Sequence, residues 1–134
     1  MSISTYAANA HLDYDFGKTS YTAPTTWYIA LSTVTVTTSG SYTEPTSGSY
    51  ARVALTNNKT NFSTAAGSTV TNLVAITFPE SSGSWGTITD IAFLDASASG
   101  NLWYYQPLPT PKIIQSETTV SFSASSINIY IGNA

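Results

Sequence analysis

The chain has 134 residues, a length typical of one domain, and it contains no cysteine, which excludes disulfide bonds and cysteine-based metal or redox sites. Charged residues make up only 8% of the chain and the formal net charge is −3, so we expect no binding to nucleic acid or to an anionic membrane surface. Because 42 residues are serine or threonine, the surface is predicted to be rich in hydroxyl groups rather than in ions.

Residues 1–24 are predicted to form an N-terminal arm that contains a short helix. Ser4 and Thr5 can cap a helix that continues through Leu12 and stops at Gly17. One or two helical turns are marginal alone, so we expect the helix to dock on its own sheet or on a neighbouring subunit. The segment also lacks the basic and apolar regions of a signal peptide, and we expect none.

Residues 25–134 are predicted to form one all-β domain, an antiparallel β-sandwich of jelly-roll or immunoglobulin-like type. Short runs of β-branched and aromatic residues alternate with glycine or proline at intervals of about ten residues, as in a sandwich or barrel. Residues 33–37 fit either a half-buried strand or an extended loop. The proline-rich residues 107–111 are unsuited to a central strand and are predicted to be an extended crossover between sheets. The predicted strands are 26–31, 50–55, 73–78, 88–94, 102–105, 118–123 and 127–131.

The sequence Thr-Ser-Gly-Ser-Tyr occurs twice, ending at Tyr42 and at Tyr50. This repeat fits a polar hairpin or loop, or a projecting loop that displays both tyrosines. Glu44 and Arg52 lie on either side of the second copy. In a chain with so few charges, we expect this acid and this base to meet across the turn and to form a structural pair.

No combination of residues predicts catalysis, a cofactor or a metal site. The single histidine, His11, is more often a packing or surface residue than a base or ligand when it stands alone. There is no Gly-x-Ser-x-Gly motif, and Asp90 and Asp95 are spaced so that a regular strand would send them to opposite faces. We therefore expect no enzymatic activity.

Aromatic residues make up 13% of the chain, and they support two interpretations. In the first, the rings fill the core or a subunit interface. In the second, exposed rings form a platform that stacks on sugars. The residues that we single out as interface-forming or glycan-facing are Tyr42, Tyr50, Trp85, Trp103 and Tyr105.

An ordered set of short segments gives the chain a resemblance to a known family across most of residues 25–131. The segments are 28–33, 44–45, 48–53, 75–79, 84–89, 93–96 and 99–102, and a proline-rich step and a closing pair of strands follow them. In this order of segments the chain resembles a family of small bacteriophage virion proteins of the tail-fibre or head-decoration type.

The resemblance implies a non-enzymatic β-sandwich domain that is assembled into a virion in the host cytoplasm. It implies contacts with other virion proteins, namely major capsid or tail proteins, and a homo-oligomer. The favoured interpretation is a capsid decoration or cement protein or a small tail component. The alternative is a carbohydrate-binding module at a tail-fibre tip that contacts a host surface glycan. In either case the resemblance implies that Glu44 and Arg52 hold the fold.

Overall fold

The structure, a computed structural model, describes residues 1–131. The predicted fold class is confirmed, because the described chain consists mainly of antiparallel strands and has one short N-terminal helix, α1 (Thr5–Gly17). The strands are β1 (Ser2–Ile3), β2 (Thr26–Ser32), β3 (Val53–Thr56), β4 (Thr69–Thr71), β5 (Ile76–Thr77), β6 (Gly86–Leu94), β7 (Leu102–Ile114), β8 (Ser121–Phe122) and β9 (Asn128–Tyr130). Residues 132–134 of the predicted domain lie outside the described part of the chain.

The main sheet has five strands in the order β1-β7-β6-β2-β3, and each neighbouring pair is antiparallel. Two smaller sheets, β4–β9 and β5–β8, contribute side chains to the same core as the main sheet. Phe93 of β6, Ile76 of β5 and Ile129 of β9 all belong to this cluster. The small sheets therefore form a second layer, which gives the fold its sandwich character.

The central strands of the main sheet are buried on both faces. Ile91 and Phe93 point into the large core between the layers, whereas Ala92 and Leu94 belong to a second cluster with Val36. This alternation follows from the period of two along a strand. Full burial of an isoleucine, leucine or phenylalanine side chain stabilises a fold by about 1.5–3 kcal/mol, so both faces contribute to stability.

The N-terminal segment docks on β7 of its own chain, the first of the two alternatives expected for it. Ser2 and Ile3 pair with Tyr105 and Tyr104. The Ser4 side chain accepts a hydrogen bond from the Ala7 backbone N–H, as expected of a helix cap, and donates one to the Leu102 carbonyl. A single serine thus joins the start of α1 to β7. In residues 1–131, no helix is long and apolar enough to span a membrane.

The prediction of a crossover at residues 107–111 is wrong, because the structure includes this segment in β7. Strand β1 pairs only with Tyr104 and Tyr105, which leaves the following part of β7 at the edge of the sheet. Proline is tolerated at such an edge. On the other side, Pro107 lies opposite Asp90 and Lys112 lies opposite Ile88, so residues 108–111 bulge away from β6.

Several other predicted strands differ in length from those observed. The predicted strands 73–78 and 118–123 shorten to Ile76–Thr77 and Ser121–Phe122, which pair with each other, and the Phe78 N–H donates to the Val120 carbonyl beside them. Residues 33–37 form bends and loop rather than a strand, and the short strand Thr69–Thr71 was not predicted. A side-chain pattern indicates which residues face a core, but pairing also requires a neighbouring strand in register.

Candidate functional site

Arg52 lies at the centre of a polar network that joins two loops. Its side chain is 4% exposed and donates to both carboxylate oxygens of Glu44, at 2.9 Å from Nε and 2.8 Å from Nη2. It also donates to the carbonyls of Ala96 and Ser99, at 2.6 and 2.8 Å, and to the Tyr42 hydroxyl at 3.2 Å. All five guanidinium N–H groups are therefore used. Glu44 and Arg52, expected to meet from the sequence, do so in bidentate geometry.

Tyr50 extends this network into the core. Its hydroxyl donates to Glu44 Oε1 at 2.8 Å and accepts from the backbone N–H of Leu31 in β2 at 3.0 Å. Burial raises the pKa of this hydroxyl well above its ordinary value, so it stays protonated and able to donate near neutral pH. The ring packs edge-on against Trp85, with centroids 5.3 Å apart. We propose that the network acts structurally, by fixing the loop before β3 against the loop after β6.

The aromatic residues singled out from the sequence point inward. Trp85, Trp103 and Tyr105 are buried within this chain, and Tyr50 packs against the large core. Tyr42 is half-buried and packs against the second cluster beside Arg52. The interpretation of a loop that displays Tyr42 and Tyr50 is therefore wrong. The reason is that contacts hold both loop tyrosines against the domain: Tyr42 accepts a hydrogen bond from Arg52, and Tyr50 donates one to Glu44.

Asp95 fixes the loop that follows β6. Its carboxylate accepts hydrogen bonds from the Asn101 backbone at 2.7 Å, from the Asn101 side chain at 3.0 Å and from Trp103 Nε1 at 3.1 Å. Burial by itself would raise the pKa of Asp95, but these hydrogen bonds outweigh it and hold the pKa below its ordinary value. The loop that supplies two carbonyls to Arg52 is thus held from both ends.

We expect Asp95→Asn to lower the free energy of unfolding by about 1 kcal/mol at pH 7, because the charge-assisted hydrogen bonds are lost. A depressed folded-state pKa stabilises the fold above the ordinary pKa of 3.8, and this stabilisation is lost as the pH falls through the folded-state value. The difference in the free energy of unfolding between the wild type and Asp95→Asn should therefore become smaller at acid pH. Urea denaturation at a series of pH values measures it, with the exposed Asp13→Asn as control. A difference that is constant with pH would contradict the role of the charge.

A second region, which sequence reasoning missed, is the aromatic cluster beneath α1. His11 lies between two tyrosines, with Nδ1 2.6 Å from the Tyr21 hydroxyl and Nε2 3.3 Å from the Tyr104 hydroxyl. The Tyr21 and Trp103 rings are 5.7 Å apart, and Trp103 and Tyr6 meet edge-on at 5.5 Å. His11 is thus a packing residue that connects α1 to β7. The tyrosines at 6, 14 and 21 were the available signal, since they recur through the helix and the loop after it.

A shallow cleft of about 260 Å³ lies beside this cluster. Its walls include Tyr6, which is 49% exposed, and Tyr21. Asn9 and Asp13 of α1 supply an amide and a carboxylate to the same cleft. An exposed ring with amide, carboxylate and hydroxyl groups nearby can bind a polar ligand that has an apolar face.

The helix also exposes apolar side chains on its outer side. Leu12 is 54% exposed and Phe16 is 86% exposed, and these two residues lie four apart on one side of the helix. We call Leu12 and Phe16 the α1 stripe. Ala7 is buried on the inner side, so the helix is apolar both toward the sheet and toward solvent. Exposed apolar surface of this kind often marks a contact site between proteins.

The β-sandwich therefore carries a network that fixes its loops and an exposed apolar helix face of the kind that can serve as a contact surface between proteins. The model of a family described as podophage GP4 fiber I protein gp80 matches residues 2–130. The chain belongs to this family of phage fibre proteins, since the match covers nearly its whole length. The resemblance to small phage virion proteins is thereby confirmed. No match is found among curated proteins.

Proposed function

We propose that the protein is a non-enzymatic structural subunit of the phage tail fibre, assembled in the host cytoplasm, whose copies bind one another and other virion proteins. Membership of the fibre family is the observation that carries this proposal. The α1 stripe supports it, because two solvent-exposed apolar side chains on a docked helix are expected to be covered in an assembly. The arrangement of Arg52, Glu44 and Tyr50 supports a role in stability rather than in chemistry.

The test is the mass of the purified protein by light scattering, alone and mixed with phage heads or tails that lack it. We expect a homo-oligomer that binds tails and leaves heads unbound. Saturable binding to heads would contradict the fibre placement and make the protein a capsid decoration or cement protein. A monomer that binds neither particle would contradict the structural proposal as a whole.

Glycan binding at the fibre tip is the second candidate function, and the cleft beside Tyr6 favours it. Sugar rings present apolar C–H faces that stack on an exposed tyrosine, while their hydroxyls need amide and carboxylate partners such as Asn9 and Asp13. The site differs from the glycan-facing aromatics singled out from the sequence, because two of them, Trp85 and Trp103, are buried.

A glycan array followed by titration tests this second function. We expect Tyr6→Ala to weaken binding by about tenfold or more, since it removes the half-exposed ring on which a sugar would stack. Because the Tyr6 ring also packs edge-on against Trp103, circular dichroism checks that the variant keeps its fold. Tyr130→Ala is the matched control, because Tyr130 is similarly exposed but lies on β9. Equal loss in both variants, or no binding by the wild type, would contradict a glycan site at this cleft.

A further inference from the structure

An apolar groove of about 380 Å³ lies along the second half of β7. It exists because residues 108–111 bulge away from β6 and leave the edge of the large core uncovered. The buried side chains of Leu31 and Ile88 line it, so the groove reaches the core itself. Other residues along its sides and rim are Leu108, Val120, Phe122 and Lys112.

Within one chain, the side chains of the α1 stripe do not reach this groove. Helix α1 is anchored at the start of β7, through Leu102 and Tyr104, whereas the groove begins at Leu108. A strand rises about 3.3 Å per residue, so Trp103 and Leu108 are roughly 17 Å apart along β7. Phe16 is 86% exposed and therefore lies outside the groove of its own chain.

The charges beside the two surfaces are opposite. Asp13 and Asp15 lie on either side of the α1 stripe, since successive helical residues are rotated by about 100°. The last turn of α1 contains no basic residue, and Lys18 follows as the C-cap, so two carboxylates outnumber one ammonium near the stripe. Lys112 lines the groove, and in the part of the chain that the structure describes the one salt bridge joins Arg52 to Glu44, which leaves the Lys112 ammonium without a carboxylate partner. An acidic apolar surface thus matches a basic apolar one.

We propose that copies of this chain associate head to tail, with Leu12 and Phe16 of one copy inserted into the β7 groove of the next, beside Lys112. This inference rests on the proposed self-association and adds its surfaces and its polarity. The contact is heterologous, because each copy offers a different surface to each of its two neighbours. Such contacts produce rings or open filaments rather than closed twofold dimers.

The test uses two variants, one with an altered α1 stripe and one with an altered β7 groove. The helix variant is Leu12→Ala with Phe16→Ala, and the groove variant is Pro109→Glu with Lys112→Glu. Each is measured by light scattering over a range of concentrations, alone and in an equimolar mixture. Circular dichroism checks the fold, and Leu73→Ala, another exposed apolar residue outside both surfaces, is the control.

We expect each variant alone to be a monomer, with the dissociation constant for self-association raised at least tenfold, and the control to retain the mass of the wild type. The mixture should form a heterodimer and stop there, since each partner keeps only one working surface. A mixture that stays monomeric, or a variant that keeps the wild-type mass, would overturn the proposed surfaces while leaving fibre self-association intact. A wild type that is monomeric at every concentration would instead contradict self-association itself.

If the groove variant does not fold, a charge exchange replaces it. Lys112→Glu alone and Asp13→Lys with Asp15→Lys should each weaken association, and the mixture of the two should recover it. Association can recover only if the exchanged charges meet across the contact. If the mixture associates as weakly as each variant does alone, the proposed pairing of Lys112 with Asp13 and Asp15 is wrong.

Discussion

Replacing Arg52 with methionine is expected to lower the free energy of unfolding by about 3 kcal/mol and the melting temperature by roughly 10 °C. Methionine fills much of the space but donates no hydrogen bond. Glu44 would lose both its bidentate partner and its compensating charge, and the carbonyls of Ala96 and Ser99 would lose their donors. Leaving a mostly buried carboxylate and the partly buried Ala96 carbonyl unpaired costs more than the ion pair itself contributes, whereas water can replace Arg52 at the exposed Ser99 carbonyl.

Urea denaturation and thermal melting measure this effect, and Lys59→Met is the control, since Lys59 is an exposed base whose ammonium donates to the Ser63 carbonyl. Arg52→Lys should recover only part of the loss, because an ammonium cannot reach five acceptors in the planar geometry of a guanidinium. Replacing Arg52 and Glu44 together should cost less than the sum of the single changes. An unchanged melting temperature in Arg52→Met would contradict the structural role of the pair.

Deleting residues 1–17 is expected to abolish cooperative folding or to reduce stability by more than about 5 kcal/mol. The deletion removes β1 from the edge of β7, the Ser4 link to Leu102 and the buried Met1 side chain. It also uncovers Trp103, which is only 4% exposed beneath the helix. Re-exposing one large aromatic side chain of 150–250 Å² costs about 4–6 kcal/mol at the usual value per unit area.

Near-ultraviolet circular dichroism, thermal melting and limited proteolysis test the deletion. The helix variant Leu12→Ala with Phe16→Ala is the control, because it changes the same segment only at exposed positions. We expect that control to keep the near-ultraviolet spectrum of the wild type and to melt cooperatively, with only the stabilisation that comes from association lost. A truncated chain that melted like this control would show that the segment serves only contacts between copies.

The Arg52 network combines a contact that is near in sequence with contacts that are distant in sequence. Glu44 and Arg52 are eight residues apart around a Gly-Ser turn, so their meeting could be anticipated from the chain itself. The carbonyls of Ala96 and Ser99 come from a loop more than 40 residues away, and no local pattern identifies them as acceptors. The sequence therefore predicts the contact with Glu44, and only the tertiary structure reveals the contacts with the two carbonyls.

The aromatic residues illustrate a different limit. Alternation along Trp103-Tyr104-Tyr105 predicts that neighbouring rings point to opposite faces, and this is correct for Tyr104 and Tyr105, which belong to different clusters. It fails for Trp103 and Tyr104, because the register of β7 shifts before Tyr104 and both rings contact Trp27. It does not reveal that α1 covers Trp103 or that the second cluster covers Tyr105. Of the exposed rings, Tyr130 lies on β9, whereas Tyr6, Tyr14 and Phe16 lie in the helix, where their exposure depends on how the helix docks.

By itself, the sequence determined the all-β class, the short capped helix, the main strand regions and the resemblance to phage virion proteins. These features depend on side-chain periodicity, turn residues and the order of segments, all of which are local or linear. Only the tertiary structure decided the strand order, the edge position of the prolines in β7, the groove beside them and the exposure of Leu12 and Phe16. These depend on which distant segments pack together, because burial and strand pairing are properties of the whole chain rather than of any one segment.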